Sequence, residues 1–391
     1  MKICLISVEI FAWGKYGGFG KATRTIGREL VKRGIEVFAV VPQRKGQRPI
    51  ESLDGITVLG FPPHMPWKAK KLLKECDADL YHSCEPSLIS YLALKALPHK
   101  KHIVTIRDPR DLSDWKMEFD LPSLNRFQVV FNYLFENNIF VRRSVKCMDG
   151  VFTTARDLVP KVRRIYQLKE DPLFLPTPVS IPSSVEKAES PTVCYLARLD
   201  RRKRPTLFLD LAKKFPHVKF IVIGKSRDIL WEADLRRAYA SVPNLEFAGF
   251  VDQFSSMEHA RLLEQSWILI NTASREGLPN SFQEAAAARC AILSYVDPDG
   301  FACRFGYHAQ NDDFEDGLRH LLEDDGWRKR GERGYQYMKD TFELNKSIQK
   351  HIDIYRDLLP GKDSPLKASK TDHKNHLPNN ETVDRNDNLP W

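Results

Sequence analysis

The densest chemical signal in the sequence is the run Ser274-Arg275-Glu276-Gly277-Leu278-Pro279-Asn280-Ser281-Phe282-Gln283-Glu284-Ala285. It follows a strand-like stretch, Trp267–Asn271, and leads into an alanine-rich helix. Glu276 falls in the loop and Glu284 about one turn inside the helix. Gly277 and Pro279 shape the loop, and Asn280 or Ser281 is expected to cap the helix. The open amides of a first helical turn cradle a phosphate. A carboxylate just outside that cradle repels phosphate but accepts hydrogen bonds from sugar hydroxyls. Otherwise Glu276 is a solvated loop residue and Glu284 an ordinary surface residue of the helix.

A second run, Leu196-Ala197-Arg198-Leu199-Asp200-Arg201-Arg202-Lys203-Arg204-Pro205, sets Arg198 directly after a strand and Lys203 five residues on, at a helix start. Two fixed cations there suit a diphosphate and stabilise the charge that grows as such a group leaves. The plain alternative is a solvated basic turn. Third, Trp13-Gly14-Lys15-Tyr16-Gly17-Gly18-Phe19-Gly20-Lys21-Ala22 is a glycine-rich loop between the first strand and first helix, where backbone can approach a ligand closely. Its spacing is not that of the dinucleotide fingerprint, and a tight turn alone would also account for it.

The elements that must position these groups alternate in short β-rich and helix-length runs, the pattern of parallel α/β architecture. Strands are expected at 3–7, 37–41, 57–60, 80–83, 103–106 and 151–154, then at 193–197, 220–224, 245–249, 268–271 and 291–294. Ala22, Ile26 and Leu30 share one face of a helix ending at Gly34, a suitable C-terminal cap. Phe127–Val145, rich in Phe, Val and Ile on several faces, reads as one helix buried in the first domain, with a membrane-facing helix as the alternative. Residues 175–184 carry Pro and Ser without a period and read as a linker. After Asp312 the pattern is helical to Leu359. The segment 361–391 has too few apolar residues to offset its ordering entropy and is expected to be disordered. The fold class is therefore two doubly wound, Rossmann-like α/β domains, 1–180 and 188–344. The carboxyl ends of their strands open onto a cleft between them, where such sheets bind ligands.

Length and composition set the outer bounds. The 391 residues are 42% hydrophobic, enough for two cores. No apolar run approaches the ~18 residues of a bilayer span. Met1–Val8 reads as a first strand rather than a signal peptide, so a cytoplasmic location is expected. The formal charge of +9 is spread along the chain instead of gathered in one arm, and nucleic acid is not an expected partner. Seven cysteines without a CxxC pair argue for reduced core thiols over disulfides or zinc. Asp77-Ala78-Asp79 precedes a strand where metal-holding DxD triplets follow one, and His64, His99 and His102 lack metal-ligand spacing, so no metal is expected. His82, at a strand end, is either a site residue or a core residue. Pro66–Lys74 is basic with apolar residues interleaved. It is either a helix resting on an anionic membrane or a surface helix turning Trp67 and Leu72–Leu73 inward.

Glu276 and Glu284 with seven residues between them, the strand-Arg-Leu-x-x-x-Lys element at Arg198–Lys203 and the Gly17-Gly18 loop together resemble the retaining glycosyltransferases of family 4 (glycosyl transferases group 1), which have the GT-B fold. Val222-Ile223-Gly224, Leu245–Val251 and the closing Tyr355-Arg356-Asp357-Leu358-Leu359 agree, and the likeness runs from Met1 to Leu359. The resemblance implies a donor that is a nucleotide-diphosphate sugar, with no separate cofactor and no metal. Arg198 and Lys203 would bind its diphosphate, Glu276 the sugar hydroxyls and Glu284 the ribose. Backbone of Gly277, Leu278, Pro279 and Asn280 would contact sugar and phosphate, and Gly17 and Gly18 would face the diphosphate from the other domain. It further implies a C-terminal helix, 345–360, returning to the first domain. The acceptor would be a glycan, lipid-linked or small molecule, with peripheral contact at the inner membrane face. Two departures stand out. Where many relatives carry a histidine, this chain reads Arg107-Asp108, so either residue substitutes near the sugar or the acceptor side is built differently. Ala197 replaces the usual glycine before Arg198, a change expected to be tolerated. The rival readings are a sugar-nucleotide epimerase of the same fold and a catalytically silent nucleotide- or glycan-binding protein.

Overall fold

The computed structural model describes residues 1–123 and 125–359; the tail expected to be disordered, 361–391, lies outside them. Eight strands, β1 (Lys2–Ile6), β2 (Glu36–Pro42), β3 (Ile50–Leu53), β4 (Ile56–Phe61), β5 (Leu80–Ser83), β6 (Lys101–Ile106), β7 (Gly150–Thr153) and β8 (Leu173–Phe174), form one sheet in the order β3-β4-β2-β1-β5-β6-β7-β8. Six more, β9 (Thr192–Leu196), β10 (Lys219–Ile223), β11 (Leu245–Gly249), β12 (Ile268–Asn271), β13 (Ala291–Ser294) and β14 (Gly306–His308), form a second in the order β11-β10-β9-β12-β13-β14. All pairs are parallel except the β3–β4 ribbon. This is the expected pair of Rossmann-like domains. The three unexpected strands, β3, β8 and β14, are all at sheet edges, where half-exposed residues need no apolar run.

Strand order reverses at β1 in the first sheet and at β9 in the second, so the loops after these strands open at the topological switch points. Registry is tight there, with Leu5 between Ala39 and His82. Helices cover both faces of each sheet: α1 (Gly18–Lys32), α2 (Ala69–Cys76), α3 (Leu88–Ala96), α4 (Leu112–Asp120), α5 (Arg126–Glu136), α6 (Ile139–Val145) and α7 (Leu158–Tyr166) in the first domain, then α8 (Pro205–Lys214), α9 (Ile229–Ala238), α10 (Glu258–Gln265), α11 (Asn280–Ala287), α12 (Phe301–Phe305), α13 (Phe314–Leu322) and α14 (Gly326–Thr341) in the second. α1 ends where expected, at Gly34 with φ of 74°, a left-handed position that a Cβ would strain.

The last helix, α15 (Leu344–Leu358), packs against the first sheet although it follows the second in the chain. Its Ile348, Ile352 and Tyr355 share a core with Ile3, Leu5 and Leu80, each such burial contributing about 1.5–3 kcal/mol. His82 is part of this anchor and not of the cleft. It is fully buried, with Nδ1 2.7 Å from Tyr355 Oη and Nε2 2.7 Å from Thr105 Oγ1. Burial, with the charges of His351 and Arg107, holds its pKa well below the ordinary value, so it is a neutral core residue.

Three expectations are corrected by the packing. Phe127–Val145 is two helices instead of one, because α5 ends at its C-cap Asn137 and Asn138 caps α6 by accepting from the amides of Phe140 at 2.8 Å and Val141 at 3.0 Å. Only its second half is buried: α6 buries Val141, Ser144 and Val145, whereas α5 buries only Val129 and Phe127 is 88% exposed. Trp67 points outward at 61% exposure, while Leu73 of α2 turns inward. Two thiols, Cys147 and Cys303, are exposed rather than in a core. Asp77 caps α2 and pairs with Lys100 at 2.8 Å, and Asp79 accepts from the Lys2 amide at 2.7 Å. Both acids therefore sit at the amino ends of the strands, away from the cleft. No helix among the described residues is long and apolar enough to cross a membrane.

Candidate active site

The carboxyl ends of both sheets face one cavity of about 810 Å³. Its walls are the loops after β1, β2 and β6 and the inner side of α5 from the first domain, and the loops after β9, β10 and β12 from the second.

The β9 loop is organised by Asp200. Its side chain is almost fully buried, accepts from the Arg202 amide at 3.1 Å and lies 3.3 Å from Arg198 Nη2. This one carboxylate therefore caps the short helical turn Arg201–Lys203 and steadies Arg198 at the cavity wall. Thr272 Oγ1 donates to Lys203 O at 2.6 Å, stitching this loop to the one after β12. Lys203 Nζ consequently meets Glu276 Oε1. Arg198, Lys203 and Glu276 all line the cavity.

Gly277, Leu278, Pro279 and Asn280 follow on the same wall. Gly277 passes so near the first domain that a Cβ would overlap Arg107 O. The capping expectation is corrected here. Pro279 is the N-cap of α11 and no side chain caps the helix, while Asn280 Nδ2 donates to Gly18 O at 2.9 Å. Asn280 thus links the first turn of α11 to the first turn of α1. Gly17 and Gly18 line the opposite wall, with Glu9 Oε1 accepting from the Gly20 amide at 3.0 Å. Two helix N-termini meet at the cavity, both favouring an anion.

Glu284 lies behind this wall and outside the cavity lining. It is held by Lys21 of α1 and by His259 Nε2 of α10 at 2.7 Å. Burial alone would raise its pKa, but the Lys21 charge and the His259 hydrogen bond bring it down to about 2. Asp108 is also engaged. Arg275 Nη2 donates to its Oδ1 at 2.7 Å and Nη1 to its Oδ2 at 3.2 Å, while Arg275 Nε reaches Asp114 Oδ1 at 2.7 Å. Arg110 approaches Asp108 at 3.2 Å from the other side. Burial opposes ionisation of Asp108, yet the Arg275 and Arg110 charges hold it well below the carboxylate range. Arg107 is buried, donating from Nη1 to Thr177 Oγ1 at 2.6 Å and from its amide to Glu85 Oε1 at 2.7 Å.

The sequence reading gave no role to Lys21, His259, Arg275, Asp200 or the α5 wall. Lys21, Asp200 and Arg275 lie inside motifs already singled out, so their positions were flagged and their partners were not. Among the described residues, three groups near one another could hold a metal, Asp297, Cys303 and His308, and none lines the cavity.

The sequence model described as Glycosyltransferase Family 4 matches residues 16–178, and the one described as Glycosyl transferases group 1 matches residues 178–336. In structure the chain is similar to sucrose-phosphate synthase (tll1590) from Thermosynechococcus elongatus, with a TM-score of 0.71 at 14% identity over 91% of this chain and 98% of that one. It is similar to the pneumococcal O-GlcNAc transferase GtfA in complex with UDP and GlcNAc, at 0.68 and 9% identity over 92% and 99%. Anabaena Alr3699/HepE in complex with UDP-glucose gives 0.64 and 13% identity over 92% and 100%. At these identities the likeness is one of fold. No curated protein matches the chain.

Proposed function

Starting from a GT-B-fold glycosyltransferase related to the group 1 and family 4 enzymes, we propose that the chain transfers a sugar from a nucleotide-diphosphate donor with retention and without a metal. The observation that carries the reading is the gathering of Arg198, Lys203, Glu276 and the amino ends of α1 and α11 around one cavity. Arg198 and Lys203 neutralise the diphosphate and, more strongly, the charge it gains on leaving. Glu276, released from Lys203 by the incoming diphosphate, accepts hydrogen bonds from the sugar. Glu284 is assigned to the donor ribose, although it lies behind the cavity wall and is paired there with Lys21 and His259.

The bond from the anomeric carbon to phosphate breaks and the bond to the acceptor oxygen forms on the same face, and the acceptor proton passes to the departing phosphate oxygen. This route is favoured because Asp108 is held by Arg275 and Arg110 and Glu276, once released, is engaged with the sugar hydroxyls, so neither carboxylate takes the acceptor proton. Asp108 acts as a clasp between the domains 1–180 and 188–344, and the acceptor side is built differently from that of histidine-bearing relatives. The acceptor is a glycan, lipid-linked or small molecule. A cytoplasmic protein touching the inner membrane face is consistent with exposed Phe127, Phe131, Phe140 and Trp67 beside Lys70 and Lys71.

The test is transfer from a panel of labelled sugar nucleotides, with the anomeric configuration of the product read by NMR. Glu276→Ala and Lys203→Ala are expected to lose transfer while keeping the wild-type melting temperature within a few degrees. Unchanged turnover in both variants, or an inverted product, would refute the assignment.

A further inference from the structure

The cavity is lined by ten basic and five acidic residues, an excess that one diphosphate offsets only in part. Five of the ten cations have close carboxylate partners, Arg198 with Asp200 at 3.3 Å among them. Arg110 meets Asp108, Glu118 and Glu136, Arg202 meets Asp200 and Glu118, Arg275 meets Asp108 and Asp114, and Lys203 meets Glu276. Of the other five, Arg107 donates to Thr177 and Lys45 has no partner among the described residues, and the last three form a weakly paired group. Arg44, in the loop after β2, donates from Nη2 to Val8 O at 3.0 Å and has no carboxylate partner among the described residues. Arg227, in the loop after β10, has neither a hydrogen bond nor an ion pair there. Lys15, in the loop after β1, reaches only Glu9 Oε2 at 3.5 Å, and the other oxygen of Glu9 is taken by the Gly20 amide.

These three cations come from three loops and both domains, and they feel one another. Burial lowers the Lys15 pKa, Glu9 opposes it, and the charges of Arg227, Arg44 and Arg198 lower it further. Burial, Arg198 and Arg44 lower the Arg227 pKa as well, with Glu9 and Asp200 opposing. Like charges are brought together in a half-enclosed space with one shared acid. Two guanidinium forks and an ammonium match the oxygens of a phosphate group.

We propose that Arg44, Lys15 and Arg227 form a second anion subsite in the cleft, which holds a phosphate group carried by the acceptor. The inference rests on the donor reading above, in which Arg198 and Lys203 take the diphosphate. The phosphate belongs either to a soluble sugar phosphate or to a lipid headgroup, and the subsite serves the chemistry the two share.

The test uses the full chain saturated with the nucleoside diphosphate that raises its melting temperature most. If none binds, the donor reading itself fails. The loaded protein is then titrated with hexose 6-phosphate and the parent hexose, and sedimented with phosphatidylcholine vesicles with and without phosphatidic acid. A phosphate-dependent gain of tenfold or more in either arm is expected, and it should fall at least tenfold in both Arg44→Ala and Arg227→Ala. Nucleotide affinity should stay within threefold in both variants, which also reports that they fold. A gain confined to the sugar phosphate assigns the group to a soluble acceptor, and one confined to the vesicles assigns it to a lipid. Silence in both arms overturns the proposal. So does a loss of nucleotide affinity as large as the loss of phosphate affinity, which would place these cations on the donor.

Discussion

Replacing Arg275 by Ala probes how the two domains hold each other across the cleft. Its guanidinium carries a two-pronged contact to Asp108, a bond to Asp114 at 2.7 Å and a bond to Pro109 O at 3.0 Å, all in the opposite domain. Removing one partner of a buried ion pair costs about 3–5 kcal/mol when the abandoned charge is left alone. Neither carboxylate is left alone, because Asp108 keeps Arg110 at 3.2 Å and Asp114 keeps Lys161 at 2.7 Å. The loss is therefore about 2–3 kcal/mol, or roughly 30- to 150-fold in the ratio of closed to open forms. Because the contact lies between domains, the cost falls on closure and not on either core. Transfer should lose kcat/KM by that factor, the scattering radius of the nucleotide-bound protein should grow, and the melting temperature should drop by only a few degrees. Arg275→Lys should recover part of the loss, keeping the charge without the fork. Asp108 has a depressed folded pKa, so its contribution is complete above the unfolded value near 3.9 and is lost only as pH falls through the lower folded value. Closure should therefore not weaken between pH 8 and pH 5. A kcat/KM within threefold of wild type for Arg275→Ala would refute the clasp.

Two further outcomes follow from buried groups near the cleft. Burial pushes Glu85 up to about 8 from 4.5, with Arg107 pulling the other way. Between those values the folded chain keeps a proton that the unfolded chain has lost, so stability falls as pH rises through that window. Glu85→Gln removes this slope, and its melting temperature should gain on wild type from pH 5 to pH 8 and level off above; a difference that ignores pH would refute the reasoning. Gly277→Ala places a methyl against Arg107 O. Overpacking of this kind costs about 1–3 kcal/mol, here paid at the domain contact. Nucleotide affinity measured by calorimetry should fall about 5- to 150-fold, and an unchanged affinity would show that the contact yields freely.

The strands of both sheets were legible because parallel strands buried on two faces are short, continuous apolar runs, such as Cys4-Leu5-Ile6 and Ile268-Leu269-Ile270. The loops that carry Arg198, Lys203 and Glu276 were legible for the same reason, since a loop directly after such a strand opens at the carboxyl edge of the sheet. Composition misled at Phe127–Val145. Apolar content predicts burial only when some surface is available to cover it, and α5 presents Phe127 and Leu134 to solvent. The break between its two helices was written in Asn137-Asn138, a capping signal that the apolar run concealed.

Partner choice was not written locally at all. Arg275 finds Asp108 across 167 residues, and Asn280 finds Gly18 across 262. Glu284 draws Lys21 from the far domain. Sequence by itself determined which groups stand at the cleft edge of each sheet, because strand and loop order are local properties of the chain. Only the docking of one domain on the other decided which charges meet and which are left for a ligand. Coulombic partnership depends on distance through space, and the spacing of residues along a chain carries no record of it.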